Sequence, residues 1–526
     1  MAASPSPLAS QPLDDDVFSH LQKPIDPALL AERERNVNER MRAQFEKSQQ
    51  RQDELIGLNS TKPITISSVR VLHAYNTRHD FLARIINPIL SQNRKDGGIY
   101  TLREALQSLG GAVDKLNRLD IFHQPISTYI DRPDPSEASS SPTDHSVFIS
   151  VKERGRYTIK TGTEAGTLEG SAYLNVVLRN LFGGAESLNA NASLGTRTRS
   201  AYNAYFDTPI LSNPNLRWEI GGLASSTLKP WASHEEVLKG GSTRLLYHTS
   251  PGHRHEFSYS GFWRQVTGLA EKASPAVRGD AGDSFKSAIS HTWINDTRDI
   301  PMLPSQGYLF KTITELAGFG QLRGDVAHAR FEMDSQIAVP VPLPSIPDSG
   351  ISFTAGLRGG VLYPLALSGE SSPQSSRLND RFFLGGPTDV RGFRMAGLGP
   401  RDGQDALGGD VYAAGGASLL LPFPRVGKET PLRFQMFVNG GRLLALQDAN
   451  APESSEGARN NGDVSNSVTK TVQQLGDGLP SCAAGFGVVY AHPAARFEVN
   501  FSLPLVIRRG EEGRKGVSFG IGLSFL

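Results

Sequence analysis

No stretch of the 526 residues approaches the roughly 20 consecutive apolar positions that a spanning helix needs. The richest run, Ala413 to Pro424, is short and broken by glycine and proline. Hydrophobic residues make up 38% of the chain, which is low for a helical membrane protein. Lipid tolerates no unpaired backbone, so such a chain crosses a bilayer only as a closed barrel. Cysteine is scarce as well. Cys482 stands alone, which excludes an internal disulfide framework and any Cys-rich metal site. Lysine and arginine are missing before Lys23, where Asp14, Asp15 and Asp16 occur instead. That start has neither the basic and apolar plan of a secretory signal nor the arginine richness of a transit peptide. The expectation is a eukaryotic protein made in the cytosol and delivered to an organelle's outer membrane without N-terminal cleavage. The formal net charge of +1 gives no global field that would select nucleic acid or an anionic surface. Neither a P-loop nor a dinucleotide glycine fingerprint occurs. The chain is therefore expected not to be an enzyme and to need no cofactor and no metal.

What is present falls into three parts. Residues 1–62 are a polar extension, with Pro5, Pro7 and Pro12 favouring disorder at its start. From Ala28 to Leu55 it is rich in Glu, Arg and Gln, as in a charged, solvated helix with Val37, Met41 and Phe45 as a thin apolar stripe. Residues 63–155 read as a small α+β module. Ile64, Ile66, Val69 and Val71 mark a strand, and Phe81, Ile85 and Ile89, flanked by Leu82, Ile86 and Leu90, recur at helical spacing. A second helix opens at Thr101-Leu102-Arg103-Glu104, a pattern that satisfies free N–H groups reciprocally. Strands near Ile126–Ile130 and through Val147, Ile149 and Val151 complete the order strand, helix, helix, strand, strand.

From residue 156 to 526 helical periodicity vanishes and two-residue alternation takes over. Val517, Phe519, Ile521, Leu523 and Phe525 alternate with Ser518, Gly520, Gly522 and Ser524. Successive strand side chains point to opposite faces, so one face is wholly apolar and the other small and polar. Phe497, Val499, Phe501 and Leu503 alternate with Arg496, Glu498, Asn500 and Ser502 in the same way. Segments of about ten residues, apolar on one side and charged on the other, fit lipid outside and water inside. The candidates number about sixteen, an even count of the kind such barrels favour. The expected fold is a membrane all-β barrel carrying one N-terminal α+β domain.

Between the strand at Ile351–Leu365 and one beginning near Asp410 lies a long connection, 368–409. It contains Phe382-Phe383-Leu384-Gly385-Gly386-Pro387-Thr388-Asp389-Val390-Arg391-Gly392-Phe393. Connections of this length are functional or disordered. The segment resembles the inward-folded loop of the outer-membrane barrel-assembly superfamily, whose signature is a Val/Ile-Arg-Gly-Phe tetrapeptide after a Phe-Leu-Gly-Gly run. The α+β module resembles that family's polypeptide-transport-associated (POTRA) domain. The single module and the barrel are most similar to the core barrel subunit of the mitochondrial sorting and assembly machinery. Ser518-x-Gly520-x-x-Leu523-x-Phe525 resembles the sorting signal in the last strand of mitochondrial barrel proteins. The resemblance covers residues 63–526.

That resemblance implies a protein that folds and inserts β-barrel precursors into the mitochondrial outer membrane. Its module would lie in the intermembrane space, and its partners would be precursors, the lipid bilayer and accessory subunits. Gly385, Gly386, Val390, Arg391, Gly392 and Phe393 are the candidate loop motif. A charge folded into a lumen must be paired, so Arg391 needs an acceptor on the inner wall. In the family the partner is acidic, within a Phe-x-Asp pattern. Here that stretch reads Phe437-Val438-Asn439, leaving Asn439, Glu498 and Asp410 as candidates. Gly392 is expected to turn the backbone sharply and Phe393 to anchor the tip.

The barrel seam joins the first strand to the last. Tyr157, Ile159, Thr161 and Gly162 lie on one side, and Ser518, Gly520, Leu523 and Phe525 on the other. Glycine weakens a strand, so this pairing is expected to open and accept a substrate strand by β-augmentation. A polypeptide-translocating channel of the same superfamily and, behind it, a passive pore remain as alternatives. Gly516-Val517-Ser518-Phe519-Gly520 matches a hydrolase elbow pattern but continues a strand. His253 and His255 lack a third ligand and are expected at a lumen or turn position.

Overall fold

The computed structural model describes residues 27–95, 100–132, 141–165, 170–342, 349–367, 373–423, 430–446, 461–493 and 495–522. Helix α1 (Pro27–Leu58) leaves Val37, Met41 and Phe45 exposed, as a solvated helix would. The N-terminal module follows as β1 (Pro63–Leu72), α2 (His79–Lys95), β2 (Tyr100–Thr101), α3 (Leu102–Arg118), β3 (Ser127–Asp131) and β4 (Asp144–Ser150). Its sheet order is β2-β1-β4-β3. The expected element order is present, with the two-residue strand β2 added. Phe81, Leu82, Ile85, Ile86 and Ile89 are buried on α2, and Ala105, Leu109, Ala112 and Leu116 on α3. The helix start at Thr101 is closed reciprocally: the Glu104 N–H donates to Thr101 Oγ1 at 3.4 Å and the Thr101 N–H to Glu104 Oε2 at 3.1 Å.

The chain divides into two compact units, one drawn from 1–70, 87–112 and 128–148, the other from 71–86, 113–127 and 149–526. The second contains a sixteen-stranded sheet. Its first eight strands are β5 (Tyr157–Ala165), β6 (Gly170–Arg179), β7 (Ser187–Gly195), β8 (Thr198–Pro209), β9 (Leu216–Lys229), β10 (His234–Ser250), β11 (His253–Thr267) and β12 (Gly282–Asp296). Then come β13 (Gly307–Ala317), β14 (His328–Pro340) and β15 (Ser352–Pro364). The long connection carries its own hairpin, β16 (Arg401–Asp402) with β17 (Asp405–Ala406). The sheet resumes as β18 (Val411–Pro422), β19 (Leu432–Leu444), β20 (Ser481–Ala491), β21 (Arg496–Val506) and β22 (Gly516–Gly522). Neighbours pair antiparallel in chain order, so the count of sixteen read from the alternation is borne out.

Burial along these strands is inverted relative to a soluble protein. On β21, Arg496, Glu498, Asn500 and Ser502 are buried while Val499, Phe501 and Leu503 are exposed. The apolar face is the one left for lipid. The sheet is also rolled. Ser233, between β9 and β10, donates to Asp405 at 2.5 Å, and Arg401 meets Glu512, between β21 and β22, at 3.2 Å. From β10 to β21 there are nine strand spacings in the sheet order, about 43 Å if flat. Four residues of chain reach at most about 14 Å. Only a sheet curled back on itself brings both contacts within range.

Two helices depart from the expectation that none follows residue 156. The short α4 (Pro275–Gly279) starts under a Ser274 cap. The longer α5 (Asn461–Gly476) lies in the β19–β20 connection. It buries Val464, Ser467 and Thr471, one stripe at helical spacing but two-thirds polar, which hides it from a hydrophobicity reading. Arg442 closes its C-terminal end, donating to the Gln474, Leu475 and Asp477 carbonyls.

Candidate functional site

Strand directions alternate, so the β15–β18 connection leaves the barrel at the end opposite the start of β5. It then folds back onto the polar face. Gly385-Gly386-Pro387-Thr388-Asp389-Val390 forms a tight turn, with the Gly385 N–H donating to Asp389 Oδ2 at 2.8 Å and the Asp389 N–H to the Gly386 carbonyl at 3.2 Å. The turn presents Val390, Arg391 and Phe393 inward, all 3% exposed or less. Val390 and Phe393 join Leu362, Phe382, Leu384, Leu398, Ala414, Leu443 and Ala483 in one apolar cluster between loop and wall. Gly392 has φ +88°, and a Cβ there would stand 2.6 Å from the Ala483 Cβ. A side chain of any kind would be strained by that backbone and blocked by that approach, so the position takes glycine.

Arg391 finds two of its three candidate partners. Its guanidinium donates to both Glu498 oxygens, Nε to Oε2 at 3.0 Å and Nη2 to Oε1 at 3.2 Å, and lies 4.8 Å from the Phe437 ring centre. Glu498 is fully buried and is also met by Arg496 at 2.5 Å and by Asn500 Nδ2 at 2.7 Å. Asn439 holds the backbone instead. Its amide, oriented to match its neighbours, accepts from the Arg391 N–H at 2.8 Å and donates to the Arg391 carbonyl at 3.1 Å. A carboxylate could make only the first of these contacts. Asp410 is not a partner of Arg391. It accepts from Ser376 Oγ at 2.5 Å and from the Leu446 N–H at 3.0 Å, binding the loop's start to a strand end.

A second charged contact was not foreseen. Asp380, 1% exposed, accepts from Arg264 on β11 at 2.6 and 3.1 Å and from Lys286 on β12 at 3.2 Å. Burial alone would raise the Asp380 carboxyl, but the Lys286 and Arg264 charges outweigh it and hold the group well below the usual carboxylate range. The sequence carries little signal for this contact, because the two partners are 116 residues apart.

The loop also reaches the β21–β22 turn. Phe393 bridges to Gly513, the Arg394 N–H donates to the Glu512 carbonyl at 3.0 Å, and the Arg514 N–H donates to the Gly392 carbonyl at 2.8 Å. The tetrapeptide therefore rests on the turn that leads into β22. Glu498 lies directly across from Gly520, and Asn500 across from Ser518. In the sheet order β22 and β5 are the two end strands. On the β5 side Tyr157, Ile159, Thr161 and Gly162 pair with Leu178, Val176, Leu174 and Tyr173. The Tyr173 ring covers Gly162, where a Cβ would meet it at 2.6 to 2.8 Å. Leu523 and Phe525 lie outside the described residues. A cavity of about 1110 Å³ opens beside the loop tip, lined by Arg394, Arg514 and both Ser518 and Phe519. His255 shares its strand face with exposed Phe257 and Tyr259 and stacks on His291. It faces outward, not into the lumen or a turn.

Residues 180–525 match the Omp85 superfamily domain. A SAM50-like protein of Schizosaccharomyces pombe is 36% identical over 491 residues, covering 93% of this chain and 97% of its own. The sorting and assembly machinery component 50 homolog of Mus musculus is 33% identical over 433 residues, 81% of this chain and 84% of its own. Among solved structures, BamA from Haemophilus ducreyi lacking POTRA domains 1–3 shares the fold at a TM-score of 0.65 and 16% identity, covering 87% of this chain and 84% of that one. The resemblance read from the tetrapeptide is borne out, and the chain belongs to the Omp85 superfamily, among its sorting and assembly machinery component 50 homologues.

Proposed function

We propose that this protein folds and inserts β-barrel precursors in the mitochondrial outer membrane by pairing a precursor's final strand with β5 at the seam. The assembly role follows from its SAM50 relatives and its BamA-like fold. The observation that carries the seam reading is the position of β5 and β22 at the two ends of the sheet order. An edge strand offers unpaired N–H and C=O groups, and a chain of matching register adds to it through main-chain bonds. The chemistry is non-covalent, so no cofactor and no enzymatic step are required. The α+β module would lie in the intermembrane space, and accessory subunits would complete the complex. A passive pore fits less well, because its polar wall would be wet, whereas Glu498 and Asn500 on the wall are buried under the loop that carries Arg391.

The experiment is a seam lock. Cysteines replace Ile159 and Ile521 in a Cys482→Ser background, and the pair is oxidised in the membrane. Assembly of newly made porin stops in the oxidised protein and returns on reduction. Undiminished assembly by a fully locked protein would overturn the seam reading.

A further inference from the structure

The loop is tied to the wall at two places whose wiring differs. At the tip, Glu498 has Arg496 and Asn500 as partners besides Arg391. At the root, Arg264 is 5% exposed and donates through both Nη atoms to Asp380. Among the described residues Arg264 meets no second carboxylate. Asp380 is further enclosed by Lys286 at 3.2 Å and His328 at 3.9 Å, and its carbonyl accepts from Arg330 at 3.3 Å. Arg330 in turn lies 4.4 Å from the centre of the Phe382 ring. Four side chains from β11, β12 and β14 thus converge on one loop residue.

Breaking a buried ion pair is costly when it strands a charge and much cheaper when the remaining partner has other neighbours. We propose that Asp380 is the positioning residue of the loop: it holds the root fixed to the wall, while the Arg391 tip, which rests on the β21–β22 turn, is the end that lets go. This deepens the seam reading, since the tip lies against the turn that leads into β22. Release of the tip would free the last hairpin without letting the loop leave the lumen. Asp380 acts through the placement of residues 391–394 and touches no substrate.

The test reads loop placement directly. In the full-length protein in liposomes, with Cys482→Ser, cysteines replace Arg394 and Glu512, an exposed pair whose side chains meet at 3.5 Å. Their oxidation rate reports tip docking. Asp380→Asn should lower that rate about tenfold, the factor expected for loss of a charge-assisted hydrogen bond, and Asp380→Glu should restore most of it. Folding is followed separately by heat-modifiable gel migration. If Asp380→Asn does not fold, the paired variant Asp380→Asn with Arg264→Gln strands no buried cation and takes its place. An unchanged cross-linking rate in either folded variant, or no recovery with Asp380→Glu, overturns the proposal. Porin insertion is measured in parallel, so failure of the seam model would leave the cross-linking result standing.

Discussion

Glu498 has three hydrogen-bonding neighbours, Arg391, Arg496 and Asn500, and that number decides what each substitution does. Arg391→Ala removes one arm and leaves the carboxylate paired. The barrel is expected to fold with a small loss of stability while the loop tip comes off the wall and porin assembly fails. Glu498→Ala takes the shared carboxylate away from two buried guanidiniums and should cost about 3–5 kcal/mol. Comparing the denaturant midpoints of heat-modifiable migration for the two variants checks the order. Equal midpoints would contradict it. The tetrapeptide was legible in the sequence, as was the need for a buried partner. The division of labour was not. Asn439 departs from the acidic residue of the family pattern because it grips the Arg391 backbone, where an amide offers both a donor and an acceptor. Alternation along β21 pointed to Glu498 as a candidate, but only the folded loop distinguishes it from Asp410.

At the scale of elements, two-residue alternation located the wall strands to within a few residues, since each strand has one face against lipid and one against the lumen. It did not reveal α5, whose buried stripe is largely serine and threonine, nor the β16–β17 hairpin, which is held by residues of distant connections. The seam needs a finer reading as well. Gly162 alone suggests a weak first strand, yet the Tyr173 ring lies over it and restores cross-strand packing. Tyr173→Ala should therefore loosen β5 from β6 by about 0.5–1 kcal/mol. Amide exchange along β5 would then quicken a few-fold while β20 and β21 keep their protection. Unchanged exchange on β5 would show that the ring contributes nothing to that pairing.

For the whole molecule, the inverted burial and the rolled sheet have one cause. A wall that meets hydrocarbon outside must satisfy every charge inside, and the long connection supplies the partners. It binds β11 and β12 through Asp380, β21 through Arg391, and the last turn through residues 392–397, so the loop ties the middle of the sheet to its last hairpin. The central claim is that a precursor strand takes the place beside β5. Single cysteines at Tyr157, Ile159 and Thr161 can be cross-linked in turn to cysteines scanned along the final strand of an arrested porin precursor. The account predicts a fixed antiparallel register, in which moving two residues along β5 moves the partner two residues the opposite way. Cross-links without register, or confined to the loop, would contradict it.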